Sequence, residues 1–220
     1  MLLKRLRPRG MRNSRESSRK APSLRVNCAF LAKSARSRLL PIPAMVRVRG
    51  ETQYAHGGKA MASTSKNLAL LQDPIAQELL RSPIPARLAY TWPDGTPRVV
   101  PIWFHWDGNA VVMAGPPDAP KVAAIAQNES VAVTIDGNEW PYPVLLIRGT
   151  ATVDFVDGVA DEYAAAARRY FGEEQGNAWA TQVGQMMDRM ARIAVCPERV
   201  TILDFQTRFP KALARRMGAA

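Results

Sequence analysis

The stretch Arg98-Val-Val-Pro-Ile-Trp-Phe-His-Trp-Asp-Gly108, preceded by Asp94-Gly-Thr-Pro97, decides how this chain folds. Its β-branched and aromatic side chains predict a strand over residues 98–106. Residues 86–92 have the same character, and Pro93-Asp94-Gly95 between the two runs is turn chemistry, so they read as a hairpin. Asp107-Gly108 makes a second turn, which leads into a third strand over 110–114.

Working outward, Asp73-Pro74 places a capping carboxylate before a proline suited to a first helical turn, which predicts a helix over 74–81 that Ser82-Pro83-Ile84-Pro85 ends. After the hairpin, Asp118 is the expected cap of a helix over 119–127. A fourth strand follows, in which Val131, Val133 and Ile135 alternate with Ala132, Thr134 and Asp136. The fifth strand has the clearest period of two: Leu145, Ile147, Ala151 and Val153 lie on one face, Arg148, Thr150 and Thr152 on the other. Helices over 159–171 and 177–190 and a last strand over 193–205, interrupted near Pro197, complete the domain. The expected fold is mainly β with flanking helices, and six strands with so few helices indicate a small barrel, whose closure protects strand edges.

The charge divides the chain in two. Residues 1–60 hold 15 of the 30 Lys and Arg but two of the 19 acids, a net +13 against +11 for the whole, which leaves −2 for residues 61–220. The high pI therefore describes the first sixty residues alone and does not make the domain a nucleic-acid binder. That basic, Arg- and Ser-rich segment shows no period able to bury a face and is expected to be disordered. Its longest apolar run, residues 26–32, is too short to cross a membrane, and secretion is not expected. We read residues 1–60 as an upstream extension, with translation starting at Met61; a transit peptide and a nucleic-acid-binding arm are the alternatives. Cys28 and Cys196 form no zinc spacing and are expected to be unpaired thiols in a reducing cytoplasm. Residues 61–220 make one domain of ordinary size.

In order and spacing, the hairpin segment resembles the pyridoxamine-5′-phosphate-oxidase-like family of FMN-binding split barrels. The resemblance continues through Val111-Val-Met-Ala114, the helix opening Pro120-Lys121 and followed by Asn128-Glu-Ser130, Leu146-Ile-Arg-Gly-Thr150, and Arg192-Ile-Ala-Val-Cys-Pro-Glu-Arg-Val200. It covers roughly residues 79–205, and no one of these motifs is diagnostic alone. The resemblance implies a six-stranded split β-barrel and a homodimer, with FMN, deazaflavin coenzyme F-420 or, less often, haem in a groove between subunits. It implies that Arg98, Val99, Val100, Pro101, Ile102 and Trp103 line one edge of a flavin ring, with Met113 and Ala114 on the next strand. Pro120 and Lys121 would meet the phosphate. Elementary physics agrees on Lys121, because a first helical turn already favours an anion and a cation there adds a charge-assisted contact.

Other residues keep two readings. Trp103 and Trp106 either wall a flat ring or pack in the core or a dimer interface. His105 reads as a surface strand residue rather than a catalytic or haem-ligating one. Arg148 reads first as a surface or interface ion pair, with a phosphate or substrate role as the alternative. Trp140 with Pro141 and Pro143 forms either a rigid loop over a neighbouring pocket or a strand lead-in. The chain departs from the oxidases proper in two places. Val144 or Leu145 stands where they carry a flavin-contacting glutamine, and the chain ends Phe209-Pro-Lys-Ala-Leu-Ala-Arg-Arg rather than in their Arg- and His-bearing segment. Oxidation of pyridoxamine phosphate itself is therefore not expected.

No GxGxxG follows a strand, and P-loop, HExxH and GxSxG patterns are absent. Glu173-Glu174 and Asp161-Glu162 read as solvated helix faces. The leading expectation is a flavin-dependent oxidoreductase in which the cofactor carries the hydride to or from a small molecule. FMN is favoured over F-420, whose acidic tail calls for a basic groove. A non-enzymatic flavin or haem binder is the second expectation, and a nucleic-acid-associated protein acting through residues 1–60 is the third.

Overall fold

The computed structural model describes residues 67–218. The reading of residues 1–60 lies outside them. After a short 3-10 turn at Leu68–Gln72, the helices are α1 (Pro74–Arg81), α2 (Pro120–Gln127), α3 (Asp161–Phe171), α4 (Glu173–Met186) and α5 (Lys211–Arg216). The strands are β1 (Ala86–Thr91), β2 (Pro97–Ile102), β3 (His105–Trp106), β4 (Val111–Gly115), β5 (Ser130–Asp136), β6 (Val144–Asp157) and β7 (Arg189–Leu203).

All seven strands join one antiparallel sheet in the order β2-β1-β5-β6-β7-β4-β3. Laid flat, its outermost strands would lie about 29 Å apart at the usual ~4.8 Å per strand. Yet β2 and β3 are those two strands, and only Trp103 and Phe104 separate them in the chain. Two residues span about 10 Å at most between their flanking neighbours, so the sheet has to curl until its ends nearly meet. No ladder pairs β2 with β3. The result is a split β-barrel, the fold class expected. It has seven strands rather than six, because the predicted strand over 98–106 breaks where the chain crosses the split.

Inward residues of every long strand fill the barrel: Leu88, Val133, Ile135, Leu145, Ile147, Ile193, Val195 and Val111 are essentially buried in one cluster. Helices α1 and α2 join that cluster through Ala76, Leu79, Leu80, Val122, Ala124 and Ile125. The Asp73 carboxylate caps α1 as expected, accepting from the Ile75 N–H at 3.0 Å. Asp118 does not cap α2, whose N-cap is Ala119 with no side-chain bond.

The period-two reading of β6 holds, and β6 and β7 prove longer than expected, pairing from Val144↔Leu203 to Asp157↔Arg189. The expected break near Pro197 is a one-residue bulge: Arg148 faces Arg199 but Gly149 faces Pro197, so Glu198 is the extra residue. A Cβ on Gly149 would stand 2.0 Å from the Cys196 carbonyl oxygen, which is why glycine occupies this position. Cys196, buried on β7, is not a free thiol, which corrects the expectation of two unpaired cysteines.

Helices α3 and α4 cover the outer face of β4, β6 and β7, where Ala114, Ala160, Val183 and Met190 form a second cluster. They sit close: a Cβ on Gly176 of α4 would lie 2.4 Å from the Arg168 Cα of α3. Arg192, 5% exposed beneath α3, donates from Nε and Nη2 to the Glu162 carboxylate at 3.0 and 2.8 Å, with Asp154 3.7 Å away. The C-terminal segment is pinned by Arg208, which donates to Asp73 at 2.6 Å, and by Asp204, which accepts from the N–H groups of Gln206, Thr207 and Arg208. No described helix is long and apolar enough to cross a membrane.

Candidate functional site

The two-residue crossover between β2 and β3 is where the barrel stays open, and α3 seals it. Trp103 stacks on Tyr170 at 5.0 Å and 13°, meets Phe171 edge-on at 5.0 Å, and lies 5.9 Å from Tyr163. Arg169 donates to the Phe104 carbonyl and places its guanidinium 4.4 Å over the Phe104 ring. The Tyr170 hydroxyl donates to the Ile84 carbonyl at 3.1 Å, and burial raises its pKa. Trp103 is thus an anchor for α3, and its stacked face is not open to a ligand ring. Trp106 also packs against the interior cluster. Both tryptophans are partly buried against their own chain.

Beyond Trp103 the expected ring edge is an outermost strand, and its side chains alternate. Val100 and Ile102 turn toward the interior cluster, Arg98 lies over the Trp92 ring at 5.5 Å, and Val99 is 66% exposed. The backbone follows a definite rule. Trp92 donates to the Thr96 carbonyl at 2.8 Å, which makes that facing pair a hydrogen-bonded one. Facing pairs alternate in an antiparallel ladder, so Arg98↔Tyr90 and Val100↔Leu88 exchange hydrogen bonds, whereas Pro97, Val99 and Pro101 turn their backbone groups away from β1. Both prolines fall where no N–H is needed. The free edge of β2 therefore offers one N–H, that of Val99, between three carbonyls.

Met113 and Ala114 lie on opposite faces of β4. Met113 is buried in the barrel interior, whereas Ala114 faces outward beneath α3 and α4. His105 is not the surface residue expected: it is half-buried on β3, and burial, followed by the nearby Arg169 charge, lowers its pKa against the opposing pull of Glu162 and Asp107. Trp140 is 69% exposed in the loop before β6 and packs on Tyr142 and Phe205 of its own chain.

Lys121 is the expected site residue whose surroundings most resemble an anion site. It occupies the first turn of α2 behind Pro120, and that helix has no side-chain cap and no acidic residue in its first turn. The side chain is half-buried, and burial alone pushes its pKa down. It has no ion-pair or hydrogen-bond partner among the described residues. An ammonium that is desolvated and without a partner among the described residues, at a helix start with no side-chain cap, is relieved by an anion. Of the first-turn N–H groups, Pro120 has none and that of Val122 donates to the Ala119 carbonyl at 2.8 Å, which leaves that of Lys121. The same described residues hold no cluster of His, Cys, Asp or Glu able to bind a metal ion.

Sequence reasoning missed Tyr163, Arg169 and Tyr170, which close the split. Tyr163 and Tyr170 are seven residues apart on one helical face, a spacing that was available as a signal. Arg148 has no ion pair within its own chain among the described residues.

A family profile described as pyridoxamine 5′-phosphate oxidase matches residues 73–204. Among solved structures the chain is similar to an F-420 reductase, with 29% identity over 57% of this chain and 94% of that one and a TM-score of 0.45. It is also similar to a conserved hypothetical protein from Mycobacterium tuberculosis, at 17% identity, 59% and 82% coverage and a TM-score of 0.49. A third is HutZ, the haem storage protein of Vibrio cholerae, at 16% identity, 60% and 93% coverage and 0.45. Comparison with curated proteins gives no match.

Proposed function

This chain belongs to the pyridoxamine 5′-phosphate oxidase family, and from that premise we propose that it is a flavin-dependent oxidoreductase that binds FMN and acts on a small-molecule substrate. The observation that carries the reading is Lys121, half-buried and without a partner among the described residues, at the start of α2, which has no side-chain cap. These residues fit the phosphate end of the cofactor. Lys121 would supply the countercharge and its own backbone N–H, since Pro120 has no N–H and the Val122 N–H donates to the Ala119 carbonyl at 2.8 Å.

The ring end would be held by backbone more than by side chains. Along the free edge of β2, the Val99 N–H can donate to a ring acceptor, and the carbonyls of Pro97, Val99 and Pro101 can accept from a ring donor. Such a pattern suits a flat heterocycle with alternating donors and acceptors. When bound, the flavin supplies the hydride chemistry, and the protein needs no acid–base pair of its own for it. Helix α3 excludes water from the crossover through Trp103, Tyr170 and Arg169.

The homodimer with the cofactor between subunits and the cytoplasmic location are part of the same proposal. Val144 or Leu145, standing where the oxidases proper carry a flavin-contacting glutamine, keeps pyridoxamine phosphate outside it.

Purified full-length protein tests the reading. FMN titration should give saturable binding, and the loaded protein should turn over with a reduced nicotinamide. Binding of F-420 with no binding of FMN would replace the cofactor. A Soret band and no flavin binding would make it a haem protein, and failure to bind any of the three would end the proposal.

A further inference from the structure

We propose a second oxyanion site on the open outer face of the barrel, formed by Arg148 of β6 and Arg199 of β7. The two face each other directly across the ladder. Like charges in that relation repel, and a fold that keeps them side by side gains when something negative lies between. Both are exposed, and neither has an ion-pair or hydrogen-bond partner among the described residues. The nearest acid in sequence, Glu198, is turned to another use: its carboxylate accepts from the Thr150 hydroxyl at 2.7 Å.

The bulge is what creates the pair. Glu198 is the extra residue, so the register on its two sides differs by one, and Arg199 is the last residue to face β6 before the shift, opposite Arg148. Read across the sheet, one row of facing residues runs Val99, Ala89, Ala132, Arg148, Arg199. At about 4.8 Å per strand the row spans roughly 19 Å. Its first three members are small and apolar, and none of them belongs to a buried hydrophobic cluster of the domain. The row is therefore a shallow platform with two guanidinium forks at one end. It fits a small ligand with a flat, weakly polar body and a phosphate or carboxylate at its end.

The inference does not rest on the cofactor assignment, because it needs only the sheet register and the unpartnered arginines. Thermal unfolding of the full-length protein with inorganic pyrophosphate as probe tests it. The wild type and Lys121→Ala should both melt higher with pyrophosphate, and the Arg148→Gln/Arg199→Gln double variant should lose that rise. Without pyrophosphate, either single glutamine variant should melt at or above the wild type, by about 1–3 °C, because the repulsion is gone. That result also shows that the variants fold.

Riboflavin and FMN titrations identify the source of the oxyanion. Weaker FMN binding by the double variant with riboflavin unaffected assigns it to the cofactor, and unchanged FMN binding alongside lost pyrophosphate binding assigns it to the substrate. An undiminished rise in the double variant, or no rise in the wild type, overturns the site. A rise lost in Lys121→Ala but kept in the double variant overturns it too, while leaving Lys121 as the anion site.

Discussion

Gly149→Ala should destabilise the barrel at the bulge that sets the relation of Arg148 to Arg199. An added Cβ would lie 2.0 Å from the Cys196 carbonyl oxygen, 2.9 Å from its carbon and 3.3 Å from the Pro197 Cα. Real Cβ contacts essentially never fall below 3.0 Å, so β6 and β7 must part by about 1 Å. All three neighbours are backbone, so no side chain can rotate out of the way. Overpacking of this kind costs about 1–3 kcal/mol, with the upper half of that range expected here. Restricting the unfolded chain by replacing glycine returns about 0.4–1 kcal/mol. The net loss is about 2 kcal/mol, or a fall in melting temperature of about 4–8 °C for a domain this size. Calorimetry on the full-length protein measures it directly. An unchanged or raised melting temperature would refute the register assigned to β6 and β7.

Gly176→Ala brings a Cβ within 2.4 Å of the Arg168 Cα, and should lower stability by about 1–3 kcal/mol in a thermal melt followed by circular dichroism. Glu162→Gln leaves the Arg192 guanidinium, 6% exposed, with only the more distant Asp154 as a countercharge; urea denaturation should show a loss of about 2–3 kcal/mol. Asp154→Asn, at an exposed carboxylate 3.7 Å away, should cost under about 1 kcal/mol in the same assay. The Asp204 pKa is lowered: burial pulls it up, but the Thr207 hydroxyl and the N–H groups of Arg208, Gln206 and Thr207 outweigh that. A folded-state pKa below the unfolded one means stabilisation that is complete above the ordinary carboxylate pKa and lost as the pH falls through the lower value. Trp140 fluorescence, which senses its contact with Phe205, should therefore hold as the pH falls through the ordinary carboxylate range near about pH 4 and change only well below it, and Asp204→Asn should show the acid-form signal at neutral pH.

Much of the barrel is legible in the sequence because its signals are local. The alternation in β6, the Pro93-Asp94-Gly95 turn and the Asp73-Pro74 cap each act within a few residues. The split is not local. Residues 98–106 read as one strand because Trp103 and Phe104 favour strands as strongly as their neighbours do; only the curl of the sheet makes them a crossover. Asp118 looks like a cap, but the helix begins one residue later than a cap there would place it.

The site divides in the same way. Lys121 was readable because a cation behind a helix-opening proline is a local pattern. The occupation of Trp103 by Tyr170, 67 positions on in the sequence, was not, nor was the burial of Met113 away from Ala114. The pairing of Arg148 with Arg199 depends on a one-residue bulge, which sequence periodicity marks only as a proline in a strand.

The central claim is that Lys121 and the start of α2 hold the phosphate of a flavin. The most direct measurement is the dissociation constants of FMN and of riboflavin, which lacks the phosphate, for the wild type and for Lys121→Ala. A charge-assisted contact worth about 1.5–3 kcal/mol predicts FMN binding weakened at least tenfold by the substitution, with riboflavin binding unchanged. Equal FMN affinity in the two proteins, or no FMN binding by the wild type, would contradict it.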